Sequence, residues 1–248
     1  MNRIASMVLK NLAYVPGAYI KLCNYAKAPD KYDVLEMWQH IQDILRHGID
    51  AGNVEIICTG TENIPRDEGC LIYGNHQGLF DVVALAVTSD PPLSVVAKKE
   101  WRDTPFLKQV FHCTDSFDYL MDREDARQAL KVMRKVAEDV QNGRRVVIFP
   151  EGTRGRKGND MLPFHSGSFK PAFRAKCPVI PVALVDSFLP FDQKGSQPVT
   201  MQIHYLPAIP YEEYKDMKTA ELAELVQSRI RDKIAECVGP MATADRSE

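Results

Sequence analysis

Two residues with complementary acid–base chemistry, His76 and Asp81, lie five positions apart in the segment Asn-His-Gln-Gly-Leu-Phe-Asp, residues 75–81. In a helix they would be roughly 140° apart and could not share a face. If they meet, His76 must lie in a turn, and Asp81 must reach back from the first turn of the following helix. Gly78 would help such a turn to close. A carboxylate placed there fixes the imidazole tautomer and stabilises the imidazolium that forms when histidine accepts a proton.

This segment contains no serine, cysteine or threonine, and the chain has no GxSxG motif elsewhere. A base without a protein nucleophile is typical of enzymes that deprotonate a substrate hydroxyl directly. The alternative is an ordinary helix-capping turn, with Asp81 near a helix N-terminus. The spacing alone does not separate these two interpretations.

A second segment, Phe-Pro-Glu-Gly-Thr-Arg-Gly at residues 149–155, follows the apolar run Val146–Phe149. Loops at the carboxyl ends of strands are where open α/β sheets bind ligands. Glycine allows backbone amides to approach a phosphate, and the Arg154 guanidinium is a planar, permanently charged partner for one. A solvated charged turn would explain the arginines, but not this ordered string directly after a core strand.

The elements that must position these residues alternate along the chain between short apolar runs and helix-like stretches. This alternation predicts an α/β fold with a mostly parallel central sheet flanked by helices on both faces. The predicted strands are Val54–Cys58, Cys70–Tyr73, Ser94–Ala97, Val146–Phe149, Val179–Val185 and Val199–Tyr205. The predicted helices are Phe80–Thr88, Pro105–Phe111, Glu124–Asn142, Ser168–Ala175 and Thr219–Cys237.

The N-terminal residues 1–52 predict an amphipathic two-helix unit that faces a membrane. Its first segment, Met1–Ala28, is basic, lacks acidic residues and has apolar residues at approximately helical spacing, so it is suited either to a membrane interface or to packing on the main domain. The second helix is predicted from about Lys31 to Asp50 by its 3.6-residue apolar period. Residues 53–240 are predicted to form the α/β domain, and residues 241–248 a disordered tail.

Composition narrows the function classes. The net charge of −2 argues against a general nucleic-acid binder. The six cysteines are scattered, without zinc spacing, which indicates a reducing compartment and no metal site. No segment predicts a transmembrane helix, because the apolar stretch between Lys10 and Lys21 is short and contains Pro16. We therefore expect a peripheral protein on the cytoplasmic face of a membrane.

Together the two segments resemble the glycerolipid acyltransferases, specifically the 1-acyl-sn-glycerol-3-phosphate acyltransferase family. Residues 75–81 resemble that family's first block, NHxSxxD, and residues 149–155 match its FPEGTRG block. Asp122-Arg123 resembles the end of the second block, and Val179-Ile180-Pro181-Val182 the fourth. The sequence departs from the family in two places: Gly78 stands where the family usually has serine, and Phe117-Asp118-Tyr119-Leu120-Met121 replaces a glycine and an Ile-Phe-Ile-like run.

The resemblance implies transfer of a fatty acyl group from a thioester, acyl-CoA or acyl carrier protein, to the 2-hydroxyl of lysophosphatidic acid. The product would be phosphatidic acid, and no cofactor beyond the thioester co-substrate is implied. His76 and Asp81 would be the catalytic pair, and Arg123 and Arg154 would bind the phosphate. Further substrate contacts are predicted for Glu151, Gly152, Thr153 and Lys98.

Three alternatives stay open at this stage. The first is an acyltransferase whose acceptor is glycerol 3-phosphate or another lysophospholipid. The second is a non-catalytic lipid-binding protein, and the third is a hydrolase in which His76 activates water.

Overall fold

The computed structural model describes residues 3–122, 124–193 and 195–239. Its strands are β1 (Val54–Thr59), β2 (Cys70–Gly74), β3 (Ser94–Val95), β4 (Ala97–Lys98), β5 (Leu120–Met121), β6 (Arg145–Ile148), β7 (Val179–Val185) and β8 (Val199–Tyr205). Within this part of the chain, six strands form the main sheet in the order β1-β8-β7-β2-β6-β3, and β4 pairs with β5 in a small second sheet.

The main sheet is parallel except for the antiparallel pair β7–β8. Its central strand β2 is buried along its whole length, as expected of a parallel strand covered on both faces. Because β2 runs parallel to both β6 and β7, the carboxyl ends of these three strands lie at one edge of the sheet. The loops that carry residues 75–81 and 149–155 therefore start side by side.

Helices cover both faces of the sheet. They are α1 (Arg3–Lys10), α2 (Val15–Lys27), α3 (Val34–Ala51), α4 (Phe80–Thr88), α5 (Leu107–Cys113), α6 (Ala126–Gln141), α7 (Lys170–Ala175), α8 (Leu189–Asp192), α9 (Tyr211–Tyr214) and α10 (Thr219–Val238). Helices α6, α7 and α10 pack in one apolar core, and α3 and α4 pack in the core on the opposite face. The predicted α/β class with a mostly parallel sheet is confirmed.

Local sequence explains where several helices begin. Asp33 caps α3 by accepting hydrogen bonds from the backbone N–H groups of Leu35 and Glu36. Asp125 caps α6 in the same way. Each side chain satisfies donors that would otherwise have no partner at a helix N-terminus.

The prediction of two N-terminal helices was wrong, because the segment 1–28 divides into α1 and α2. The break falls before Pro16, which lies in the first turn of α2. Proline lacks a backbone N–H and fits a first helical turn, but it disrupts a helix interior. Residues 1 and 2 and the predicted tail 241–248 lie outside the described residues, and the boundary between residues 52 and 53 stays a prediction.

The predicted strand Ser94–Ala97 was also wrong as a single element. Ser94 and Val95 pair with β6 in the main sheet, whereas Ala97 and Lys98 pair with β5 in the small sheet. An alternation of residue types cannot reveal a change of pairing partner, because each strand looks the same to the local pattern.

Candidate active site

His76 and Asp81 meet in the geometry that their spacing predicts. His76 lies in the loop after β2, and Asp81 lies in the first turn of α4. The Nδ1 atom of His76 is 2.6 Å from Asp81 Oδ2. The Asp81 carboxylate is fully buried, whereas 16% of the His76 side chain is exposed. Among the described residues, His76 Nε2 has no hydrogen-bond partner.

Asp81 accepts hydrogen bonds at both carboxylate oxygens. Besides the imidazole, the backbone N–H groups of Gln77 and Gly78 donate to Oδ2, at 2.7 and 3.1 Å. The hydroxyl of Ser187 donates to Oδ1 at 2.5 Å. Such bonds stabilise the ionised form of a buried carboxylate, which would otherwise be expensive to desolvate. The carboxylate thus closes the 76–81 turn and orients the imidazole at the same time.

The loop after β6 holds His76 by its backbone. Glu151 Oε1 accepts a hydrogen bond from the His76 N–H at 2.9 Å. The Gly155 N–H donates to the His76 carbonyl at 2.7 Å. The Phe149 ring stacks on the imidazole with a centroid distance of 4.2 Å. The two segments singled out in the sequence are therefore one structural unit.

Glu151 is buried and bridges two backbone amides, those of His76 and Leu162. Burial raises the pKa of this carboxyl to about 7, an effect that the two backbone hydrogen bonds partly oppose and the nearby Asp81 charge reinforces. The contacts assign Glu151 to holding the loops together. The prediction that it contacts substrate stays a prediction.

A basic groove, defined here as the cavity between residues 154–162 and the C-terminal part of α10, adjoins the His76 loop. Its volume is about 1040 Å³. Its cationic side chains are those of Arg154, Arg156, Lys157 and Arg231, and Asp160 is the acidic residue in its lining. Within the described residues, the first three form no ion pair, and Arg231 approaches Glu224 at 4.0 Å. The groove also has an apolar component made by Met161, Leu162, Ile234 and Val238.

The remaining predicted substrate residues are placed differently. Gly152 has a φ of 70°, so it adopts a backbone conformation that glycine favours, and Thr153 is exposed beside it. Lys98 is exposed on the small β4–β5 sheet, and the structure gives it no contact with His76 or Asp81. Its neighbour Lys99 forms an ion pair with Asp122. Arg123 lies outside the described residues, so its predicted role stays a prediction.

Four polar residues of the site were not assigned a role from the sequence. Asn75 pairs with both backbone groups of Leu184 on β7, and Gln77 accepts at 2.9 Å from the backbone N–H of Ser187. Ser187 and Asn159 were missed entirely. The carboxyl-end rule for parallel sheets would have pointed to Ser187, because it lies in the loop that follows β7. No local signal marks Asn159.

In the part of the chain that the structure describes, no group of three or more His, Cys, Asp or Glu side chains is arranged to hold a metal ion. Likewise, no helix among the described residues is both long and apolar enough to cross a bilayer.

Comparison with known proteins agrees with this fold and shows the family. The acyltransferase family model matches residues 55–185, just over half of the chain. A 1-acyl-sn-glycerol-3-phosphate acyltransferase of Salmonella typhimurium is 32% identical over 170 residues, which cover 68% of each chain. A Helicobacter pylori protein of the same name is 35% identical over 124 residues, 50% of this chain and 52% of that one.

The fold is shared with a solved structure. The crystal structure of the 1-acyl-sn-glycerophosphate acyltransferase PlsC from Thermotoga maritima matches with a TM-score of 0.74 at 19% identity, covering 99% of this chain and 98% of that one. The chain is thus an acyltransferase-type α/β protein, and the His76–Asp81 pair lies at the carboxyl edge of its sheet. Within that class, the chain belongs to the 1-acyl-sn-glycerol-3-phosphate acyltransferase family.

Proposed function

We propose that this protein transfers a fatty acyl group from a thioester to the 2-hydroxyl of lysophosphatidic acid. The observation that carries the proposal is the His76–Asp81 pair, 2.6 Å apart, whose Nε2 atom has no partner among the described residues. His76 Nε2 takes the proton of the acceptor hydroxyl as its oxygen attacks the thioester carbonyl. The C–S bond then breaks, and the leaving thiolate takes the proton back from His76. Asp81 stabilises the imidazolium between these steps.

The basic groove supports a phosphorylated acceptor. Arg154 lines it next to Gly155, whose N–H is bonded to the His76 carbonyl, so the guanidinium and the catalytic turn belong to one loop. Cations without a carboxylate partner are free to bind a phosphomonoester, and arginine does so with two parallel hydrogen bonds. We assign the acceptor phosphate to Arg154 and Arg123, with Gly152, Thr153 and Lys98 as further contacts.

The acyl donor is proposed to be acyl-CoA or an acyl carrier protein thioester. Both carry the acyl group on a phosphorylated pantetheine arm, and both would be attracted to a groove rich in cations. Turnover with each donor at matched acyl chain separates them. No further cofactor enters the proposed reaction.

A membrane surface is the proposed site of action, because the acceptor is a lipid. Exposed apolar side chains on and between the first two helices support this location. They are Val8, Leu9, Leu12, Val15 and Ile20, with exposed fractions between 41% and 62%. We propose peripheral attachment on the cytoplasmic face, by insertion of these side chains into the interface.

The direct test measures thiol release from acyl-CoA and from acyl carrier protein thioester, with and without lysophosphatidic acid. We expect acceptor-dependent release by the wild-type protein and a loss of at least about 1000-fold in His76→Ala. Asp81→Ala should lose activity to a similar extent. Circular dichroism and thermal unfolding of both variants control for the fold. Full activity in folded His76→Ala protein would refute the mechanism.

The same assay decides among the alternatives. Thiol release that does not depend on an acceptor would identify a hydrolase, and no release with any acceptor would identify a lipid-binding protein. Preference for glycerol 3-phosphate or another lysophospholipid in an acceptor panel would keep the chemistry and change the substrate.

A further inference from the structure

The hydroxyl of Ser187 lies against the catalytic carboxylate from a distant part of the chain. Ser187 is fully buried, and its Oγ is 2.5 Å from Asp81 Oδ1 and 2.9 Å from Gln77 Oε1. One hydroxyl has a single proton to donate. Gln77 Oε1 already accepts from the Ser187 backbone N–H, and an ionised carboxylate is the stronger acceptor. The proton therefore belongs to Asp81.

The backbone before Ser187 is held in an uncommon conformation that aims this hydroxyl. Asp186, the residue after β7, has a φ of 57°, which residues other than glycine seldom adopt. Asn159 braces it from two sides: its amide donates to Asp186 Oδ1, and its carbonyl accepts from the Asp186 N–H, both at 2.9 Å. Strain that neighbouring groups sustain is common at functional sites.

Gly78 makes the approach of this segment possible. A Cβ atom at position 78 would lie 3.1 Å from the Cα of Phe188 and 3.4 Å from the Ser187 carbonyl oxygen. The segment 187–188 would then have to move away by a few tenths of an ångström. In this geometry, the contact between Ser187 and Asp81 therefore depends on the absence of a side chain at position 78.

We propose that Ser187 is a positioning residue for the reaction, which holds the Asp81 carboxylate in the orientation that pairs it with His76 and tempers its attraction for the imidazole proton. Oδ2 receives three donors from the 76–81 turn, whereas Ser187 is the donor that the structure gives to Oδ1. Without it, Oδ1 loses that donor, the carboxylate is held at Oδ2 alone, and more of its negative charge acts on the imidazole. This role rests on the proposed function, since it assigns Ser187 to the same His76–Asp81 pair.

The first test compares Ser187→Ala with Ser89→Ala. Ser89 is a matched control, because it is also buried and its hydroxyl bonds to the Pro91 carbonyl, away from Asp81. We expect Ser187→Ala to lower kcat about tenfold or more while both KM values stay within about twofold. The rise of kcat with pH should move to higher pH, because a carboxylate with one donor fewer favours the protonated imidazole. Ser187→Cys, which keeps a weak donor, should recover part of the rate.

A double-mutant cycle provides the second test. Gly78→Ala should displace Ser187 and reduce kcat, and Gly78→Ala combined with Ser187→Ala should fall little further than the worse single variant. Additive losses, an unchanged pH profile in Ser187→Ala, or an equal loss in Ser89→Ala would each overturn the proposal.

A readout without turnover keeps this proposal separate from the proposed function. Proton NMR of the His76 Nδ1–H, which is bonded to Asp81, should show a changed chemical shift in Ser187→Ala and none in Ser89→Ala. An unchanged shift would overturn the role of Ser187 even if the enzyme is active. A changed shift in a protein that transfers no acyl group would retain the contact and reject the function.

Discussion

His76 is held at its Nδ1 atom, at its ring face and at its backbone, whereas its Nε2 atom has no hydrogen-bond partner among the described residues. Its Nδ1 atom bonds to Asp81, its ring stacks on Phe149, and its backbone is bonded to Glu151 and Gly155. Proton transfer depends on sub-ångström placement of the base, so a base fixed by a neighbouring loop avoids reorganisation during the reaction. Substitutions in the loop 149–155 should therefore act through His76 as well as through substrate.

Arg154→Ala tests the proposed phosphate contact. We expect its KM for lysophosphatidic acid to rise about tenfold or more, with a smaller change in KM for the thioester, because a charged two-point hydrogen bond is lost. The KM of Arg154→Lys for lysophosphatidic acid should lie between those of the wild type and Arg154→Ala, since lysine keeps the charge but cannot form two parallel hydrogen bonds. Arg229→Ala is the control, because Arg229 is paired with Glu213 on another surface. A rise confined to the thioester KM would contradict the assignment.

Glu151 should make the protein less stable as the pH rises. Its pKa is raised from 4.5 to about 7 in the folded protein, so the fold favours the protonated carboxyl. The stabilisation from that proton is fully present below about pH 4.5 and is lost as the pH rises through about 7. Glu151→Gln cannot titrate, so this loss should be absent, although its amide leaves one of the two backbone N–H groups unpaired.

Urea unfolding at pH 5 and pH 8 measures this effect as a difference between the two free energies of unfolding. The difference should shrink in Glu151→Gln and stay as in wild type in Glu62→Gln, which changes an exposed glutamate. The same pH dependence in wild type and Glu151→Gln would show that Glu151 is ionised throughout the range.

At the scale of single elements, helix α1 packs with its polar face inward. Arg3 is buried, and its guanidinium donates to the carbonyls of Gly52, Leu189, Pro190 and Gln197. The apolar side chains of Val8 and Leu9 point outward, with exposed fractions of 51% and 54%. Helix α1 thus contacts the domain through polar side chains and exposes apolar ones, whereas an ordinary surface helix buries its apolar face.

Arg3→Ala should release α1 from the domain without unfolding the sheet. The four carbonyls lose their donor, and we expect a loss of about 2 kcal/mol or more in the free energy of unfolding. Hydrogen–deuterium exchange should increase in residues 4–10 and in α8. Lys10→Ala, which removes one partly exposed bond to the Ala51 carbonyl, should have little effect. Unchanged exchange in α1 of the Arg3→Ala protein would show that other contacts hold the helix.

At the scale of the whole molecule, the apolar surface and the basic groove lie on different sides of the sheet. Helices α1 and α2 pack on α3, over one face, whereas α10 packs over the other. His76 lies between them, at the carboxyl edge of the sheet.

Membrane binding should depend on the outward side chains of the first two helices. Leu9→Ser combined with Leu12→Ser should reduce binding to phospholipid vesicles about tenfold or more, because each leucine contributes about 1.5–3 kcal/mol when it is buried. Thermal stability should hardly change, since both side chains are exposed. Leu130→Ser, at an equally exposed leucine on α6, is the control. Equal vesicle binding by all three proteins would place the contact surface elsewhere.

The sequence by itself determined the features that depend on neighbouring residues. Strand β7 and helix α4 were predicted with the bounds that the structure has, because continuous apolar runs and helical periodicity are local properties. The five-residue spacing likewise predicted that, if His76 and Asp81 meet, His76 lies in a turn and Asp81 in the first turn of the next helix, since residues at this spacing cannot share a helical face.

Only the tertiary structure decided which distant groups complete the site. Ser187 reaches Asp81 across 106 positions, and Arg3 binds carbonyls up to 194 positions away. Every residue has a backbone carbonyl, so such acceptors leave no trace in a pattern of side chains. The sequence also could not show which face of α1 is buried. Periodicity shows that a helix has two faces, but the packing of the whole chain decides which face turns outward.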